Sequence, residues 1–104
     1  MSVKIPGTMP SAITGEFRLI ATCVILNPAT GVRNEAVAEL RHDAPDTEQG
    51  VIDMRRSLEQ QARTHLLEHA LKRNYWPVSF PRFRWQQNDN IQENSLTVWY
   101  DWHW

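Results

Sequence analysis

The densest grouping of chemistry-bearing side chains in the sequence is His65-Leu66-Leu67-Glu68-His69. Histidines at i and i+4 share one face of a helix, and neutral imidazoles at that spacing can converge on one Zn²⁺. A working centre needs a third protein ligand, for which Glu93 and Asp101 are the acids to consider. Nothing in the sequence brings either of them near the pair. At about 100° per residue, His65 and His69 share a helix face with Val51, Met54, Leu58, Ala62 and Leu66. The ordinary meaning of that placement is a boundary histidine with its hydrogen bonds satisfied. Metal binding through His65 and His69 therefore ranks third among the readings.

Arginines and tryptophans form the second grouping. Between Glu35 and Asp53 lie six acids and the single base Arg41. Between Arg55 and Arg84 the balance reverses, with Arg55, Arg56, Arg63, Lys72, Arg73, Arg82 and Arg84 against Glu59 and Glu68. Guanidinium forks suit phosphates, carboxylates and aromatic faces alike. All five tryptophans follow residue 75, at Trp76, Trp85, Trp99, Trp102 and Trp104. Each can bury roughly 200 Å², so the rings either fill the core or make an interface. Trp and Arg are the residues enriched at binding hot spots, which singles out Trp76, Arg82, Arg84 and Trp99.

Other chemistries find little support. The chain has no G-x-S-x-G, no P-loop and no G-x-G-x-x-G, and its four glycines stand singly, so no cofactor is implied. Cys23, the one cysteine, sits among apolar neighbours as an inert thiol would. Glu35 and Glu39 on one strand face are explained by exposure. A net charge of -1 excludes a generally polycationic nucleic-acid binder. With 104 residues, 41% hydrophobic and 22% charged, the chain is long enough for one core and too apolar for disorder. The absence of a disulfide framework, of a leader sequence and of any run near the roughly 20 apolar residues of a membrane span predicts a cytoplasmic protein with no membrane contact.

These residues must be held by a small set of elements. Residues 1–15, with Pro6, Gly7, Pro10 and Gly15, read as a flexible N-terminal arm, leaving 16–104 as a single domain. Residues 17–26 predict a strand with apolar residues in both alternating sets, hence a central strand covered on both faces. Asn27-Pro28-Ala29-Thr30-Gly31 predicts a turn, and 32–41 a second, half-polar strand closing a hairpin. A helix follows over about 47–73, with Asp46 and Gln49 as a capping box, Gly50 weakening the first turn, and Asn74 and Pro77 ending it. Leu67 and Leu71 point away from its apolar face. Strands over 78–87 and 95–104, joined by a polar loop, complete the pattern. Pro77 and Pro81 make the third strand an edge or a late starter. The expected fold is α+β, β-β-α-β-β, an antiparallel four-stranded sheet with one long helix packed across it.

On these grounds the leading expectation is a non-enzymatic interaction module. It would be a homodimer or higher oligomer that also engages an unknown protein partner through Trp76, Arg82, Arg84 and Trp99, as an inhibitor, adaptor or assembly component. In size and outline it is similar to phage- or plasmid-encoded accessory proteins that act by binding. The second expectation is a nucleic-acid binder using Arg55, Arg56, Arg63, Arg73, Arg82 and Arg84, since basic residues beside aromatics are what single-strand binders use.

Overall fold

The computed structural model describes residues 15–88 and 98–102. Five antiparallel strands and one helix follow in the order β1 (Glu16–Leu26), β2 (Arg33–Asp43), α1 (Glu48–Lys72), β3 (Trp76–Pro77), β4 (Arg82–Asn88) and β5 (Tyr100–Asp101). The α+β architecture expected from the sequence is present, with α1 across one face of the sheet. Spatial order is β2-β1-β4-β5, with β3 also on β1. At about 1.5 Å per residue in the helix and 3.3 Å in the strand, α1 and β1 have matching lengths, so one covers the other end to end.

The hairpin forms because residues 27–32 close it locally. Asn27 Oδ1 accepts from the Ala29 N–H at 2.9 Å, and the Gly31 N–H donates to the Asn27 carbonyl at 2.7 Å. Gly31 takes φ +76°, which glycine alone adopts without cost. β1 and β2 then pair without interruption from Glu16↔Asp43 to Leu26↔Arg33. Ladder bonding extends to Gly15, whose carbonyl accepts the Ala44 N–H. The fold therefore takes in residue 15, which the sequence assigned to the arm; residues 1–14 lie outside the described residues.

α1 starts one residue later than expected. Thr47, not Asp46, is the N-cap, its hydroxyl accepting from the Gly50 N–H at 2.9 Å. Gly50 is there for space: a Cβ at that position would stand 2.8 Å from Pro45 Cβ and 3.0 Å from Thr47 Oγ1. The C-terminus closes with Asn74 at φ +59°, its N–H donating to Leu71 and that of Tyr75 donating to Ala70. That is the paired 5→2 and 6→1 arrangement that satisfies the last carbonyls.

The core lies between α1 and one face of the sheet. Val51, Met54, Leu58, Ala62, Leu66 and Ala70 meet Phe17, Leu19, Ala21, Cys23 and Ile25 of β1, with Ala36, Trp85 and Trp102 completing it. Phe17 sits edge-on to both tryptophans, 6.4 Å from the Trp85 ring and 4.9 Å from that of Trp102. The Trp85 indole N–H donates to Glu59 at 3.1 Å, which lets the ring be buried without an orphaned donor.

Two expectations change here. The third strand is split: β3 and β4 are separated at residues 78–81, a break bounded by Pro77 at the end of β3 and containing Pro81, neither of which supplies an N–H. Trp76 pairs with Leu26 but Arg82 with Thr22, so two extra residues are looped out. Ser79 bridges the gap, its Oγ taking the Val24 N–H at 2.9 Å, while the Val78 N–H donates to the Val24 carbonyl. The last strand is described as only Tyr100–Asp101; residues 95–97, 103 and 104 lie outside the described residues. Second, β1 is central but α1 covers it on one side only. Arg18, Ile20, Thr22, Val24 and Leu26 face the other way and are half-buried, with no layer over them among the described residues.

Candidate interaction face

The uncovered side of the sheet is set by register. Residues paired across antiparallel strands share a face, so Arg18, Ile20, Thr22, Val24 and Leu26 are joined there by Arg33, Glu35, Val37, Glu39 and Arg41 of β2. β4 adds Arg82, Arg84 and Gln86, β3 adds Trp76, and β5 adds Asp101. The two looped-out residues at the strand break are an even number, so Trp76 and Arg82 stay on the same side. Val37 (60% exposed) and Trp76 (58% exposed) stand out from this surface, with Phe80 (92% exposed) at the break beside it.

At one end of the face a polar network crosses four strands. Arg18 donates through Nε to Gln86 Oε1 at 3.0 Å, and its Nη2 reaches the same oxygen. Arg18 also lies 3.6 Å from Glu39, which Arg41 approaches at 3.4 Å. Gln86 Nε2 donates to Asp101 Oδ1 at 3.2 Å, and Arg84 meets the same carboxylate at 3.0 Å. Trp99 lies over this assembly, with the Arg18 guanidinium 4.3 Å and the Arg41 guanidinium 5.3 Å from its ring centroid. Cation–π contacts of this kind hold a ring in place, and Trp99 remains half-buried there.

All four residues singled out as partner-binding, Trp76, Arg82, Arg84 and Trp99, therefore lie on the one uncovered face. Arg18, Glu39, Gln86 and the acceptor role of Asp101 are residues of this face that sequence reasoning missed. A signal existed: Arg18 is the one charged residue in the otherwise apolar run 17–26.

The six arginines of the nucleic-acid reading are not brought together. Arg82 and Arg84 are on the uncovered face, whereas Arg55, Arg56, Arg63 and Arg73 belong to the helix side. Arg55 pairs with Glu59 at 3.1 Å, and Arg63 lies 5.1 Å from the Phe83 ring centroid. On the uncovered face Arg18, Arg33, Arg41, Arg82 and Arg84 are balanced by Glu16, Glu35, Glu39, Asp43 and Asp101.

The histidines also fall elsewhere than expected. His65 and His69 are exposed, not on the packed face, because the buried line steps by four through Leu58, Ala62, Leu66 and Ala70. Alanine at two of those positions permits a closer helix–sheet approach than an imidazole would. The pair lines an open depression with Glu68, Lys72 and Arg73, whose two cations oppose a third. Asp101 is across the sheet in the Arg84 pair, and Glu93 lies outside the described residues. Among the described residues no three His, Cys, Asp or Glu side chains are grouped to hold a metal, and no helix is long and apolar enough to cross a membrane. Protein-family models, curated proteins and solved structures give no match to this chain, so its geometry carries the functional reading.

Proposed function

We propose that the chain is a non-enzymatic protein-interaction module that engages a protein partner through the uncovered face of its sheet, as an inhibitor, adaptor or assembly component of the accessory type. The supporting observation is the convergence there of Trp76, Arg82, Arg84 and Trp99 with the apolar side chains Ile20, Val24, Leu26 and Val37. Aromatic anchors and arginines around an apolar centre are the composition that carries binding energy at protein interfaces. The charge balance of the face favours a partner of mixed charge over a polyanion.

The test uses immobilised full-length protein in three forms: wild type, Trp76→Ala/Arg82→Ala, and Arg56→Ala on the helix side. A single protein species retained by wild type and by Arg56→Ala, and at least roughly tenfold depleted on the face variant, supports the reading. Equal retention by all three overturns it. Challenging the same proteins with labelled single- and double-stranded oligonucleotides addresses the second expectation. Retention that falls steeply with salt would move the assignment to nucleic acid.

A further inference from the structure

The outer edge of β2 has no strand against it among the described residues. Which main-chain groups it offers follows from the ladder on its inner side. Ala44 N–H donates to the Gly15 carbonyl, and Asn27 N–H to the Val32 carbonyl, so the even-numbered residues of β2 bond to β1. The backbone groups of Arg33, Glu35, Val37, Glu39, Arg41 and Asp43 therefore point outward. Among the described residues only the Asp43 carbonyl is engaged, by His42 Nδ1 at 2.7 Å. Over its 11 residues β2 has no proline and no glycine, and its register with β1 has no bulge. Proline, bulging and shortness, devices that ordinarily blunt an edge, are missing from β2, and among the described residues charge is the one that remains.

Those charges select a partner. We propose that this edge pairs antiparallel with β2 of a second copy of the chain, about a two-fold axis at Ala38. In that register Arg33 stands opposite Asp43 of the second copy and Glu35 opposite its Arg41. Symmetry repeats both pairs, and Ala38 meets its own counterpart. Moving the axis to Val37 sets Glu35 against Glu39 and Arg33 against Arg41. Moving it to Glu39 sets that carboxylate against itself and Glu35 against Asp43. Like charges directly opposite are destabilising, so of the three registers only the first, which also overlaps the full strand, is electrostatically satisfied.

The packing is consistent with it. Residues of like parity pair, so both helices fall on one side of the joined sheet and both uncovered faces on the other. α1 rests on β1 and β2 together through Ala21, Ala36, Ala38 and Leu40. With strands about 4.8 Å apart, the two helices would lie about 10 Å apart, a normal interaxial packing distance. The edge borders the face proposed above and shares Val37 with it, but the partner differs and the readout here is self-association, not partner retention, so each proposal can fail without the other.

Sedimentation of the full-length chain tests it, with wild type expected to be a dimer. Val37→Pro removes an outward N–H and leaves the β1–β2 ladder its bonds, so it should give a monomer with unchanged far-UV circular dichroism. Arg33→Asp and Asp43→Arg should each weaken the dimer roughly tenfold, and the double exchange should restore it. Ala38→Cys should cross-link on mild oxidation, because directly opposed Cα atoms of a non-hydrogen-bonded pair lie about 4.5 Å apart. A monomeric wild type overturns the proposal. So does a dimer indifferent to both Val37→Pro and the charge exchange, whether the edge is then covered by residues 1–14 or left bare.

Discussion

On the side of the sheet that meets α1, β1 contributes Phe17, Leu19, Ala21, Cys23 and Ile25, all buried, and Glu59 seats the Trp85 ring there by taking its indole N–H. On the other side the alternate residues of the same strand lie beside arginines, carboxylates and two tryptophans, half-buried at most in their own strand. One strand thus serves two surfaces, and the contrast separates the core from the face proposed for recognition. Side chains under the helix are buried and carry stability, while those opposite are the ones proposed for contact.

The largest effect expected from breaking this contrast is at Leu19. Leu19→Ala should cost about 2–5 kcal/mol in denaturant unfolding, because the side chain is fully enclosed. Next comes Gly50→Ala. Helix propensity alone predicts a gain of up to about 1 kcal/mol, but the Cβ would strike the Pro45 ring, so the expected sign is a loss of about 1–3 kcal/mol. Glu59→Ala should cost about 1–3 kcal/mol by stranding the buried Trp85 N–H, and Thr47→Ala about 1 kcal/mol through its cap. At the small end, Trp76→Ala and Arg82→Ala should shift stability by less than about 0.5 kcal/mol while lowering partner retention. A Trp76→Ala loss as large as that of Leu19→Ala would mean that the uncovered face is a core in its own right.

Much of the covered side was legible in the sequence. The 27–31 turn, the alternation of 32–41 and the helix span each follow from local rules of φ, period and capping, and Pro77 with Pro81 correctly foretold a late-starting strand. The cap moved from Asp46 to Thr47 because it is the Thr47 hydroxyl that takes the Gly50 N–H, a choice between two adjacent capping residues that local propensity does not decide. The histidines were misplaced because an ideal wheel ignores the four-residue stepping that Ala62 and Ala70 allow. For the candidate face, the parity of Arg82 and Arg84 was visible. That Trp76 and Trp85, and likewise Trp99 and Trp102, face opposite ways follows from simple alternation; which member of each pair meets α1 depends on pairing with β1 and β4, which no short window contains. The double apolar pattern of β1 predicted two covers, and one of them is the surface now proposed for a partner.

The Ser79 hydroxyl that fills the gap between β3 and β4 makes the central strand, near its C-terminal end, depend on a side chain. An amide held by main chain is released only when a ladder opens, but the Val24 amide is released by one rotation about the Ser79 Cα–Cβ bond. In deuterium, Val24 should exchange faster than Thr22 and Ile20 beside it, through local opening and not global unfolding. Ser79→Ala should hasten that single proton further and leave the protection of its neighbours intact.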